Sequence, residues 1–258
     1  MNRILFESGE IQDGIATCAD ARAAHILDVL HGEVGQVLKT GELDGPVGSG
    51  EIVAIGKDES TGGRTVSVRV NHEGRALEPW VDLVLAPPRP RVMKRLLPQL
   101  ASMGVGRIVL VGARKVEKDF WGATLLKPEN YRPLLVEGLM QAGTSRVPTI
   151  ELRRGFRRFL SDELDAMFPS GPRIVAHPYG EGAARASRGP LVDSAGGRLL
   201  LAVGPEGGWT DDEVAALESR GFVRYSLGGR ILRTDTALIA LLARLDPCEA
   251  FDVRATCK

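Results

Sequence analysis

From Trp80 onward the chain alternates short apolar runs with longer helix-like stretches, and few folds accept that rhythm. Residues 81–86, 107–111, 173–176, 198–203 and 223–227 read as buried strands. Between them, about 92–103, 129–142, 156–167, 211–220 and 235–245 read as helices. Strands that alternate with helices predict an α/β domain with a mostly parallel sheet. Pro98 is expected to kink or shorten the first helix.

The first 75 residues read differently. Residues 34–39, 51–55 and 64–70 are strand-like, 41–50 is a Gly-rich loop, and one helix spans 20–30 with its end near Gly32. A small β-barrel with one helix is the expected domain over 1–75. The second domain is expected over 76–258, with 73–79 as the linker.

Composition narrows the function classes. No apolar run is long enough to span a membrane, and Met1–Glu7 carries no signal-peptide core. A cytoplasmic protein is therefore expected. Cys18, Cys248 and Cys257 form no CxxC pair, and His25, His31, His72 and His177 are scattered, so neither metal site nor disulfide framework is expected. Formal net charge is zero, yet Arg supplies 26 of the 33 basic residues. Two clusters stand out, Arg89, Arg91, Lys94 and Arg95, then Arg153, Arg154, Arg157 and Arg158. Each suits phosphate recognition and each is equally a solvated helix face.

Two glycine-rich loops follow strand-like runs. The first is Val203-Gly204-Pro205-Glu206-Gly207-Gly208, and Thr210 with Glu213 then makes a capping box for the next helix. Asp211 and Asp212 favour that helix start and disfavour a phosphate there. The loop is neither a P-loop nor GxGxxG, which argues against a dinucleotide dehydrogenase. The second loop is Ser226-Leu227-Gly228-Gly229-Arg230-Ile231-Leu232-Arg233-Thr234-Asp235. Glycines permit close backbone approach to a ligand, and they equally make tight turns. The apolar helix after this loop suits a core position or a subunit interface.

These two loops, in this order near the C-terminus, closely resemble the small-subunit ribosomal RNA methyltransferase E family, the 16S rRNA uridine-N3 methyltransferases of the SPOUT superfamily. Met103-Gly104-Val105, Gln141-Ala142-Gly143, Arg146-Val147-Pro148 and Ala176-His177-Pro178 extend the resemblance over nearly the whole chain. The chain departs from the family pattern at His31, Gln99, Ser102, Met140 and Thr144. The resemblance implies a PUA-like β-barrel followed by an α/β domain with a C-terminal trefoil knot. It also implies a homodimer that uses S-adenosylmethionine, without metal, to methylate a uridine near the 3′ end of 16S rRNA in the small ribosomal subunit.

Carried over residue by residue, the cofactor site would comprise Ala176, His177 and Pro178, then Val203, Gly204, Pro205, Glu206, Gly207 and Gly208. Ser226, Leu227, Gly228, Ile231, Leu232 and Arg233 would complete it. Arg233, then Arg230, would stabilise the uracil anion, and Asp235 is a conceivable base. Arg3, Arg22, His25, Arg89, Arg91 and Arg95 would contact RNA. The departures keep two other readings open, a methyltransferase with a different RNA target and an inactive module that binds cofactor or RNA.

Overall fold

The computed structural model describes residues 2–58, 62–178, 184–185 and 197–247. Cys248 and Cys257 lie outside them. The chain divides into two compact units: residues 1–78 with 133–147, and 79–132 with 148–258.

The first unit is built on a six-stranded mixed sheet. Its strands are β1 (Ile4–Phe6), β2 (Ile11–Gln12), β3 (Ile15–Cys18), β4 (Val37–Glu42), β5 (Val47–Lys57) and β6 (Arg64–Gly74), in the order β1-β4-β5-β6-β3-β2. β1 runs parallel to β4 and every other pair is antiparallel. Alternate residues point to one face, so Ala16, Cys18, Ile52, Val66 and Val68 are buried around Ile4, Leu5 and Phe6. The expected loop at 41–50 is instead a tight hairpin. β4 and β5 extend into it, and the Glu42 amide donates to the Pro46 carbonyl at 2.9 Å. The expected helix at 20–30 is α1 (Ala21–Ala24) continued by a π turn (His25–Val29).

Residues 133–147 complete this unit. The amides of Asn2 and Arg3 both donate to the Met140 carbonyl, at 2.9 and 3.0 Å. The Val147 amide donates to Asp44 Oδ1 at 2.8 Å. The segment read as a linker is also held down: β6 runs to Gly74, Ala76 is buried, and Glu78 pairs with Arg146 at 2.8 Å.

The second unit is a seven-stranded parallel sheet. Its strands are β7 (Val81–Leu85), β8 (Val105–Val111), β9 (Thr149–Arg153), β10 (Arg173–Ala176), β11 (Ala184–Arg185), β12 (Leu199–Val203) and β13 (Val223–Ser226). The order is β11-β13-β10-β12-β7-β8-β9, and every pairing is parallel. β7 and β12 are buried along their whole length, as central parallel strands covered on both faces must be. On one face Val84, Val109, Val175, Leu200 and Ala202 pack with Phe156, Phe159, Trp209, Val214 and Leu217.

The helices of this unit are α2 (Pro90–Ser102), α4 (Phe156–Arg158), α5 (Leu164–Met167), α6 (Asp211–Glu218) and α7 (Thr234–Leu245). The long helix α3 (Pro128–Ala142) starts in this unit and ends in the other. A π turn, Phe159–Glu163, joins α4 to α5. Pro98 lies inside α2, which continues past it to Ser102, so the helix is not shortened there. Among the described residues no helix is long and apolar enough to cross a membrane.

Candidate functional site

The chain steps outward through β7, β8 and β9, then returns to place β12, β10 and β13 on the other side of β7. Where strand order reverses in a parallel sheet, the loops at the carboxyl ends part and leave a crevice. A cavity of about 370 Å³ lies on one side of that reversal, lined by the loops that leave β10, β12 and β13 and by α7.

The β10 loop contributes Ala176, His177 and Pro178. The His177 amide donates to the Tyr225 carbonyl at 3.1 Å, which ties this loop to β13. His177 Nδ1 is buried and has no hydrogen-bond partner among the described residues. Burial, reinforced by the nearby Arg224 guanidinium, holds the imidazole below its ordinary range. A depressed histidine pKa contributes stability that is full above the unfolded value, near 6.5, and lost as pH falls through the folded value. Wild-type melting temperature should therefore fall more steeply between about pH 7 and pH 5.5 than that of His177→Gln. Parallel melting curves for the two would remove His177 as the titrating group.

The β12 loop contributes Val203 through Gly208. A Cβ on Gly204 would lie 2.9 Å from the Trp209 amide nitrogen and 3.1 Å from the Gly208 carbonyl carbon. Gly208 has φ +67° and donates to the Pro205 carbonyl at 2.8 Å. The loop therefore folds back on itself at positions, Gly204 and Gly208, that carry no side chain. Its outer edge is pinned: Glu206 accepts from the Arg89 amide at 3.0 Å, and Lys115 Nζ donates to the Gly207 carbonyl at 2.7 Å. The capping box read from sequence is present, with Glu213 Oε2 accepting from the Thr210 amide at 2.9 Å. Glu213 Oε1 also takes the Arg114 amide at 2.7 Å, fixing α6 to the loop after β8.

The β13 loop contributes Tyr225 through Gly228 and Arg230 through Leu232. Ser226 Oγ accepts from the Gly228 amide at 3.2 Å, and Gly228 sits at φ +123°. Arg230 and Arg233 are exposed, and Arg233 occupies the N-cap position of α7 without touching the cavity lining. Asp235 Oδ2 meets Arg95 at 3.1 Å, so a proposed base and a proposed RNA contact form one ion pair.

Of the residues read as cofactor-binding, all but Arg233 line the one cavity. The lining also includes Thr234, Ala237 and Leu241, which sequence reasoning missed. Their spacing of three and seven on α7 puts them on one helix face, and that signal was available.

The expected RNA contacts divide. Arg89, Arg91 and Arg95 are exposed on or beside α2. Arg3 instead donates to the carbonyls of Gly143, Thr40 and Gly48. Arg22 is tied to Glu10, Asp20 and the Leu5 carbonyl, and lies over the Phe6 ring. Its guanidinium holds Glu10 below the usual carboxylate range. His25 buries Nε2. Donors already spent inside the fold are poor phosphate ligands, which applies to Arg3 and Arg22, whereas the buried His25 Nε2 has no hydrogen-bond partner among the described residues.

Residues 76–246 match the RNA methyltransferase domain family. The ribosomal RNA small subunit methyltransferase E of Treponema pallidum is 31% identical over 94% of this chain and 90% of its own length. A Borreliella burgdorferi protein, ribosomal RNA small subunit methyltransferase E 1, is 26% identical over 93% of this chain and 95% of its length. The fold is similar to that of ribosomal RNA small subunit methyltransferase E from Neisseria gonorrhoeae, solved bound to S-adenosyl methionine. That likeness has a TM-score of 0.70 at 19% identity and covers 94% of this chain and 95% of that one.

Proposed function

Because the chain belongs to the RNA methyltransferase domain family, in its ribosomal RNA small subunit methyltransferase E branch, we propose that it transfers a methyl group from S-adenosylmethionine to N3 of a uridine near the 3′ end of 16S rRNA. The observation that carries this reading is the single cavity at the β10, β12 and β13 ends, whose lining joins the two glycine loops.

The residues present fit such a donor. Gly204 and Gly208 leave the backbone bare where an adenine or ribose must come close. The buried, partnerless Nδ1 of His177 offers a polar contact. No phosphate binds at this helix start, because Asp211 and Asp212 occupy the first turn of α6. Bound there, S-adenosylmethionine supplies a methyl group on a positively charged sulfonium, which needs no metal to be electrophilic.

Uracil N3 must lose its proton before it attacks, and the resulting charge spreads onto the flanking carbonyl oxygens. Arg233, flanked by the lining residues Leu232 and Thr234, would meet that charge, with Arg230 of the cavity lining as the second choice. Asp235 is a candidate base at the start of α7, where it lies beside Arg95. Arg89, Arg91 and Arg95 would anchor the RNA backbone.

The finer architecture follows from the family. The mixed sheet of the first unit is compatible with a PUA-like barrel that receives RNA, and the β12–β13 loops with a trefoil knot. Leu227, Leu232 and Ile231, the last 92% exposed, give the second loop an apolar outer surface suited to a homodimer. A cytoplasmic location accords with a ribosomal substrate. Of the five departures from the family pattern, Met140 and Thr144 are buried in the first unit, whereas His31, Gln99 and Ser102 are exposed.

Small ribosomal subunits from a strain lacking this gene, incubated with the protein and labelled S-adenosylmethionine, should yield 3-methyluridine by nucleoside mass spectrometry. A different methylated nucleoside, or none with the cofactor bound, would overturn the uridine-N3 reading.

A further inference from the structure

The chain has as many acids as bases, and many of its carboxylates pair with arginines. Arg64 pairs with Asp28, Arg69 with Glu51, Arg224 with Glu218, and both Arg173 and Arg220 with Asp165. Against that background, exposed arginines with no carboxylate partner mark places where an external anion is expected. One such place is a corner of the parallel sheet outside the cavity.

There β8 and β9 end side by side. The Gly112 amide donates to the Arg153 carbonyl at 2.9 Å. A Cβ on Gly112 would fall 2.0 Å from the Arg154 carbonyl oxygen, so the two strand ends meet only because residue 112 is glycine. Arg114 and Lys118 lie in the segment after β8, and Arg154 and Arg157 in the segment after β9; all are exposed and none has a carboxylate partner among the described residues. The Arg154 guanidinium lies 5.8 Å over the half-buried Trp121 ring and donates to the Trp121 carbonyl at 3.3 Å. Phe120 braces the indole edge-on, with centroids 5.6 Å apart. A braced indole and a guanidinium in contact form a flat, cationic platform of the kind on which unpaired bases stack. Lys115, which begins the same segment, reaches the Gly207 carbonyl at the cavity rim. The corner and the cavity are thus joined through one short loop.

We propose that this corner anchors a single-stranded stretch of the RNA substrate, with a base stacked on the Trp121–Arg154 platform and Arg157, Arg114 and Lys118 neutralising the phosphates beside it. The proposal rests on the RNA methyltransferase reading for its partner class. Duplex RNA is disfavoured because its bases are not free to stack.

The test uses the full chain and a fluorescein-labelled 12-nucleotide single-stranded oligoribonucleotide of mixed sequence, with the matching duplex as comparison. Arg114→Ala combined with Arg157→Ala should lower the slope of log affinity against log salt by about 1.4, at roughly 0.7 per released phosphate. Trp121→Ala should weaken binding about fivefold or more at unchanged slope, and Trp121→Phe should retain most of it. Arg220→Gln removes the same charge from an arginine that is already paired, and should bind as wild type. The proposal is overturned if the double variant and Trp121→Ala both bind like wild type, if Arg220→Gln loses as much, or if duplex binds as tightly. A titration with S-adenosylmethionine separates the two levels. Failure of every protein to bind it counts against the methyltransferase reading, whereas unchanged cofactor binding with unchanged oligonucleotide binding in the variants counts against the corner alone.

Discussion

Arg233→Ala is expected to lower the rate of methyl transfer by about 10²–10³-fold at saturating substrates, the usual cost of removing one group that stabilises developing negative charge. The side chain is exposed, makes no bond that the fold depends on, and leaves α7 without a side-chain cap whether present or absent. Melting temperature and cofactor affinity should therefore stay close to wild type, which confines the loss to the chemical step. Raising pH gives a second readout. If Arg233 favours the uracil anion, the variant should recover part of its rate in alkali, where the anion forms more readily. A variant that turns over like wild type at neutral pH removes Arg233 from the mechanism. A variant that fails only in cofactor binding assigns it to the donor instead.

The second large effect is expected at Gly204. A methyl group there would press on the Trp209 nitrogen and Gly208 carbonyl carbon, both backbone atoms that cannot swing aside. Forcing an extra carbon into a packed site costs about 1–3 kcal/mol. The loop can relieve it only by moving the stretch that lines the cavity. Gly204→Ala should weaken S-adenosylmethionine binding by about tenfold or more when that energy falls on the bound state. Gly208→Ala is the informative comparison. An added Cβ at 208 meets nothing within 4 Å, and its only burden is a φ of +67°, worth about 1 kcal/mol. Calorimetric titration of both variants should rank Gly204→Ala as the poorer binder. Equal affinities would mean that the close approach at Gly204 does not shape the cavity.

Parallel strands were legible where burial was complete. β7 and β12 are apolar at almost every position because helices cover both faces, so their runs could be read without ambiguity. β9 could not. Thr149-Ile150-Glu151-Leu152-Arg153 is a half-exposed edge strand, and its charges serve Arg107, Arg153 and Glu163 rather than a core. β1 escaped because three residues carry no period, and it is recognisable only by its pairing with β4, more than thirty positions away.

The glycine loops were readable because the local backbone needs what only glycine supplies, as at Gly204, Gly208 and Gly228. Lys115 was not. It reaches Gly207 across 92 positions, from the segment after β8 to the loop after β12 with β7 between those strands, which no local pattern encodes. The same limit misled the reading of Arg22. Exposed by composition, it is enclosed by Glu10 and Asp20, and only the folded chain brings Glu10 to it.

The first unit draws its last pieces, residues 133–147, from beyond a stretch of the second. This sets a timetable for synthesis. When the ribosome has released the first 78 residues, the amides of Asn2 and Arg3 still lack the Met140 carbonyl, and Asp44 lacks the Val147 amide. The nascent unit must wait, incompletely closed, until about the middle of the chain has emerged. Domains made first generally fold first, but here the N-terminal one is held open by its own wiring. In that interval β1 can already pair with β4, while the amides just before it await their acceptor.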